Sequence, residues 1–150
     1  MKYFTDGYTE FSNPSLTGGG FTITDNSGNL IKTQAIKKVK FTNNEAELLG
    51  VRECLDKICE YEDEISTDSN IVICWLREGN KKIYKSKFPR PDLISVIEEC
   101  RAIIKSKNIN LYWEGREKNL AGIFNENNSF DEIAEYVKEK EETENLFRNL

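Results

Sequence analysis

Apolar positions along this chain fall into two periods, and the change from one to the other divides it into elements. Lys2 to Asp6 is a short apolar, β-prone run that delivers Asp6 at its end. After the turn-rich stretch from Ser12-Asn13-Pro14 to Gly18-Gly19-Gly20, Phe21 and Ile23 alternate with polar neighbours in a strand from Phe21 to Thr24. Asp25-Asn26-Ser27-Gly28-Asn29 has turn chemistry, and Leu30 to Val39 returns as a third strand whose lysines suit a partly exposed position. Three antiparallel strands in a row are expected.

The period then lengthens. Thr42 reads as a helix N-cap with Glu45 three residues on, and Ala46, Leu49, Cys54, Leu55, Ile58 and Cys59 form the buried stripe of a helix running to about Tyr61. A short fourth strand, about Glu64 to Thr67, precedes a second helix that Asp68-Ser69 opens and Gly79-Asn80 stops. Because it is reached through a helix, this strand is expected to run parallel to its sheet neighbour. Pro91 suits the first turn of a third helix with Leu93, Ile94, Ile97, Cys100, Ile103 and Ile104 on its apolar face. Ile109 to Trp113 reads as the fifth strand, and a loop or short helix follows Arg116-Glu117-Lys118-Asn119. Ser129 with Glu132 caps an acidic last helix over about residues 130–149, whose apolar stripe fades after Lys138. The order β-β-β-α-β-α-α-β-α implies one α/β domain over 1–150. Its five-stranded mixed sheet has three antiparallel strands, then parallel ones, and is flanked by helices.

Composition narrows the function classes. A chain of 150 residues, 38% hydrophobic and 31% charged, is one domain with a two-layer core. No run approaches the roughly 18 apolar residues of a membrane span, and Met1-Lys2-Tyr3 leads into Phe4-Thr5-Asp6 without the longer apolar segment that a secretion signal requires. A cytoplasmic monomer without a membrane partner is expected. Cys54, Cys59, Cys74 and Cys100 form no Cys-x-x-Cys pair and fall on apolar faces, which favours buried free thiols over disulfides or zinc. With no histidine, the chain has no His-dependent triad and no imidazole metal site. The net charge of -5 argues against a nucleic-acid partner only until its distribution is considered. Residues 126–150 hold eight acids and three bases, so the rest of the chain is neutral. Within it, Arg77, Lys81, Lys82, Lys85, Lys87 and Arg90 face Glu78 alone in one basic segment able to meet a phosphate backbone, or simply to be a solvated loop.

Three carboxylates from three elements are candidates to converge: Asp6, Glu47 and Asp68. Each also has a simpler role. Asp6 could stop a strand, Asp68 could cap a helix, and Glu47 could be a solvated first-turn acid favoured by the helix dipole. Clustered Asp and Glu without His or Cys make a hard, all-oxygen site, which suits Mg²⁺ or Mn²⁺ and leaves positions for water and a substrate phosphate.

Asp6-Gly7, Asn43-Asn44-x-x-Glu47-Leu48 and Thr67-Asp68-Ser69 follow one another as do three motifs of the ribonuclease H family, which the chain resembles over most of Lys2 to Asn119. The resemblance implies a ribonuclease H-like fold and hydrolysis of RNA in RNA:DNA hybrids by a two-metal-ion mechanism. Asp6, Glu47 and Asp68 would be the catalytic metal ligands, with Asp6 bridging two Mg²⁺ or Mn²⁺ ions. It also implies substrate contacts from Asn43, Asn44 and Asn70, and close approach of the duplex at Gly18, Gly19 and Gly20, although capping and turn roles suit these residues too. Trp75, Tyr84 and Trp113 read as core or groove-lining residues. Trp113, Arg116 and Asn119 are similar to a Trp-x-x-Arg-x-x-Asn passage of the family's His-lacking branch, with Arg116 toward the substrate. There the family continues into Ala-Asp, a fourth metal-binding carboxylate. This chain reads Asn119-Leu120-Ala121-Gly122, one residue shorter and without the acid. Glu126, four residues on, would share a helical face with Gly122 and could stand in as a metal ligand; the plainer reading is a solvated acid. The missing acid keeps open a ribonuclease H-like module that binds nucleic acid or protein without cleaving, or a relic of the fold.

Neutralising Lys81, Lys82, Lys85 and Lys87 is expected to weaken hybrid binding and to flatten its salt dependence, by up to about 0.9 in slope for each phosphate that no longer meets a cation. An unchanged slope in binding isotherms would place the nucleic acid elsewhere.

Overall fold

The computed structural model describes residues 1–78 and 91–128, with positions 132, 133, 135, 137–139 and 142 beyond them. Three strands come first: β1 (Lys2–Thr9), β2 (Gly18–Asp25) and β3 (Leu30–Lys37). Helix α1 (Asn43–Glu53) widens into a π turn over Cys54–Ile58 and leads to β4 (Glu64–Thr67) and α2 (Asn70–Glu78). Helix α3 (Pro91–Lys107), β5 (Asn110–Trp113), a 3-10 turn at Arg116–Lys118 and α4 (Leu120–Asn127) follow. The five strands form one sheet in the order β3-β2-β1-β4-β5. β1 is central, antiparallel to β2 and parallel to β4, while β3 is antiparallel to β2 and β5 parallel to β4. The expected sheet of three antiparallel strands followed by parallel ones is the one found.

Two expectations about the first hairpin and the helix after it are corrected. β1 does not end at Asp6 but continues to Thr9, because Gly19 and Gly20 belong to β2 and pair with Thr9 and Tyr8. A Cβ on Gly19 would lie 2.0 Å from the Tyr8 carbonyl oxygen, and one on Gly20 would lie 2.1 Å from that of Gln34. Neighbouring strands therefore explain why these positions carry no side chain. The first helix also ends earlier than Tyr61. The Cys59 N–H reaches the Cys54 carbonyl at 2.8 Å, and the Lys107 ammonium donates to the carbonyls of Leu55 and Cys59 at 2.7 and 2.9 Å, which satisfies the helix end.

Successive residues of a strand point to opposite faces. From β1, Tyr3 enters the main core with Phe21, Ile23, Leu48, Val51, Ile65, Val72, Ile97 and Leu111, under α1, α2 and α3. Gly7 shares the Tyr3 face and lies under the first turn of α1, whereas Asp6 faces the opposite side and is covered by α4. Helices therefore pack on both faces of the sheet. All four cysteines are free thiols; Cys54, Cys59 and Cys100 are buried and Cys74 is half-buried. Among the described residues no helix is long and apolar enough to cross a membrane. The segment with Lys81, Lys82, Tyr84, Lys85, Lys87 and Arg90 lies outside the described residues, as does most of the last helix expected over 130–149. Its described positions are helical, and Ile133 is buried.

The approach of α1 to β1 depends on the missing side chain at Gly7, where a Cβ would lie 2.4 Å from the Glu47 nitrogen and 2.6 Å from the Ala46 carbonyl carbon. Because both atoms are backbone, Gly7→Ala must push the helix away and is expected to cost about 2 kcal/mol or more in urea unfolding. A stability equal to that of the parent would show that α1 can shift freely.

Candidate active site

Each of the three carboxylates is delivered by a different element. Asp6 stands in mid-β1, Glu47 in the first turns of α1, and Asp68 just past the end of β4. The cap of α1 is the one the sequence announces, with Thr42 Oγ1 accepting from the Glu45 N–H at 3.1 Å; the Glu45 carboxylate pairs with Lys38. Asp68 does not cap α2. That place belongs to Ser69, whose Oγ accepts from the Val72 N–H at 3.2 Å, so the Asp68 carboxylate has no capping duty. Its backbone is fixed from β5, since the Trp113 indole N–H donates to the Asp68 carbonyl at 3.0 Å and the Glu114 N–H to that of Thr67 at 3.0 Å.

The three acids meet at one end of the sheet. Each offers an oxygen such that all three lie within 4.8 Å of one another, and among the described residues this is the one such group of potential metal ligands. They share a cavity of about 580 Å³ with Asn43, Asn70, Trp113 and Arg116. Asn44, by contrast, is exposed beside the cap and does not line the cavity. Gly18 and Gly19 lie within the sheet and do not line the cavity. Glu126 does line the cavity, but its carboxylate meets Arg116 Nε at 3.0 Å and stands outside the group of three.

Packing three acids together makes their ionised forms costly. Burial pushes the Asp6 carboxyl up to about 6, with repulsion from Asp68 acting in the same direction and the hydrogen bond from Asn125 opposing it. Burial first, then the charges of Asp6 and Asp68, raises Glu47 well above the usual carboxylate range. Asp68 is also raised by burial, against hydrogen bonding from Asn119 and the charge of Arg116. Glu47 Oε2 is buried and has no hydrogen-bond partner, a costly arrangement for an oxygen that no cation satisfies.

Asn119 ties the far helix to this centre. Its Oδ1 caps α4 by accepting from Ala121 and Gly122 at 3.1 and 3.2 Å, and its Nδ2 donates to the Thr5 carbonyl at 3.0 Å, one residue before Asp6. A Cβ at Gly122 would stand 3.6 Å from Asp6 Cγ, so the helix position nearest the acids is one that carries no side chain. Sequence reasoning misses a residue that touches Asp6. Asn125 donates from Nδ2 to Asp6 Oδ2 at 2.8 Å and receives a hydrogen bond from Thr22 at 2.6 Å. The helical spacing that singles out Glu126 at four residues from Gly122 covers Asn125 at three.

In the metal-free protein the folded state holds the Asp6 proton more tightly than an unfolded chain does. Stability is therefore expected to fall as pH rises from about 4 through about 6, by on the order of 2 to 3 kcal/mol from this group. Asp6→Asn should remove that loss, which urea unfolding in EDTA across the window would detect as converging parent and variant curves toward low pH. Parallel curves would contradict it.

Residues 1–139 match the family model described as RNase H. No curated protein matches the sequence significantly. Among solved structures, LC11-RNase H1, isolated from compost and solved in complex with an RNA/DNA hybrid, is 25% identical with a TM-score of 0.53, over 79% of this chain and 87% of that one. The N-terminal RNase H domain of a Mycobacterium tuberculosis protein, solved as a fusion with maltose binding protein, is 24% identical with a TM-score of 0.56, over 81% and 92% of the two chains. RNase H1 from the halophilic archaeon Halobacterium salinarum is 18% identical with a TM-score of 0.56, over 80% and 89%. At these identities the latter two speak to the fold alone. With nearly the whole length matched by one family and the same sheet recurring in its solved members, the chain belongs to the ribonuclease H family.

Proposed function

We propose that the protein is an endonuclease that hydrolyses the RNA strand of RNA:DNA hybrids, using two Mg²⁺ or Mn²⁺ ions held by Asp6, Glu47 and Asp68. One observation carries the reading: three acids from three separate elements offer oxygens within 4.8 Å of one another, at the energetic cost their raised pKa values record. The donor set fits a hard divalent cation, being all oxygen, and the unpartnered Glu47 Oε2 is a ready ligand atom. Two such ions, when bound, supply an activated water on one side of the phosphodiester and charge neutralisation at the leaving oxygen on the other.

The chain's own residues would do the rest. Asp6, on the central strand and within reach of both other acids, would be the ligand shared by the ions. The amides of Asn43 and Asn70 border the same cavity, where they can read the ribose hydroxyls that distinguish RNA from DNA. Asn44 and Gly18 and Gly19 are assigned to the substrate on resemblance alone. Arg116, largely exposed at the cavity mouth and held by Glu126, offers its guanidinium to a phosphate. The group of three acids, rather than four, also favours a second reading, in which the domain binds hybrid without cutting it.

Incubating the protein with a labelled hybrid in Mg²⁺ and then in Mn²⁺ decides between the two. Cleavage confined to the RNA strand and stopped by EDTA is expected. Loss of an outer-sphere partner already costs roughly 10- to 100-fold in metal affinity or activity, so Asp6→Asn or Asp68→Asn should lower the rate by more than about 100-fold while the fold stays intact. Hybrid binding in EDTA with no cleavage under either ion would establish the binding module instead.

A further inference from the structure

The place opposite Asp6 is filled by an amide. Asp6, Thr22 and Thr33 are register partners on β1, β2 and β3, so their side chains stand in a row on one face of the sheet. Asn125 of α4 spans the first two: Nδ2 donates to Asp6 Oδ2 at 2.8 Å, and Oδ1 accepts from Thr22 Oγ1 at 2.6 Å. Thr22 Oγ1 lies 3.2 Å from Thr33 Oγ1, a pair in which either hydroxyl can donate, and Thr33 Oγ1 reaches the Phe21 carbonyl at 3.2 Å. Gly122, a turn earlier on α4, adds no side chain that would separate Asn125 from the acids.

The direction of the amide follows from what Asp6 offers when no cation is bound. An ionised carboxylate only accepts, so Asn125 presents its N–H. The two ends of a carboxamide have nearly the same shape, and half a turn about the Cβ–Cγ bond exchanges them. After that turn Nδ2 faces Thr22, whose hydroxyl oxygen can accept while its O–H rotates to donate to Thr33 Oγ1. The turn gives up the bond to Asp6, but the hydrogen bonds beyond Asn125 persist in both settings, because Thr22 and Thr33 are hydroxyls that can donate or accept.

We infer that Asn125 is a fourth, neutral ligand of the site, turning its amide oxygen toward a divalent cation held by Asp6, Glu47 and Asp68 while Thr22 takes its N–H. The inference rests on the metal-dependent reading above. Asn side-chain oxygens are ordinary ligands for hard cations. With an amide in place of a fourth acid the site carries one negative charge fewer, so it holds its cation less tightly and suffers less repulsion when empty.

The test is a Mg²⁺ titration of metal-free protein, followed by calorimetry and by the side-chain amide resonances of Asn125 in ¹⁵N-labelled material. The Asn125 resonances are expected to move with saturation. Asn125→Ala should weaken Mg²⁺ binding about 10-fold or more, and Thr22→Val, which cannot accept the N–H, should weaken it as well. Asn125→Asp should tighten it. If Asn125 only fills space beside Asp6, removing it frees a carboxylate oxygen, and Asn125→Ala will bind Mg²⁺ as tightly as the parent or more so. That result overturns the inference and leaves the metal-dependent reading standing, whereas a parent that binds neither Mg²⁺ nor Mn²⁺ overturns both. Unfolding in EDTA establishes that each variant is folded; should Asn125→Ala not fold, unmoved Asn125 resonances in the Mg²⁺-saturated parent overturn the inference by themselves.

Discussion

The contact on which the site depends is between two backbones: the first turns of α1 lie directly on β1 at Gly7, with no side chain between them. This contact fixes where Glu47 can be. Its nitrogen sits over Gly7, its side chain is buried, and the next residue back along the strand is Asp6. The parallel pairing of β1 with β4, in which Thr5 and Thr67 are partners, then brings Asp68 to the same end of the sheet one residue past the last pair. Asn119 fixes the remaining side by bonding Thr5 and capping α4 with one carboxamide. Three elements are thus anchored at or beside residue 6, and the acids have little freedom to separate.

That rigidity has an electrostatic cost. Burial raises the proton affinity of all three, and repulsion within the group adds to it at Asp6 and Glu47. The hydrogen bond from Asn125 to Asp6, and the amide of Asn119 beside Asp68, offset part of it with neutral donors. A cation, bound as proposed, would offset far more. The outer ion pair of Arg116 and Glu126 is solvated and contributes little to this balance.

Much of this is legible in the sequence because it is local. Thr42 announces its helix, β4 falls on Glu64–Thr67 as expected, and Pro91 opens α3. The three carboxylate motifs are local as well. What the sequence hides is set by long-range pairing. Nothing near Asp6 says that its strand continues to Thr9; that depends on Gly19 and Gly20, which look like turn residues until a neighbour on each side is seen to need their missing side chains. Ser69 rather than Asp68 caps α2, a choice between adjacent capping residues that composition does not decide. Asn125 is hidden for a different reason. An amide carries no charge, so a search for carboxylates passes over it and stops at Glu126, although both lie near the face of α4 that Gly122 leaves open.

The central claim is that the crowding of Asp6, Glu47 and Asp68 exists to hold a cation, and proton release measures it most directly. Where a raised pKa keeps a proton in the metal-free site, an arriving cation must displace it. Calorimetric titration with Mn²⁺ near pH 6, in two buffers of different ionisation enthalpy, should show saturable binding accompanied by proton release, both lost in Asp6→Asn. Heats that are independent of the buffer, or binding that survives Asp6→Asn unchanged, would mean that the three acids do not form the metal site.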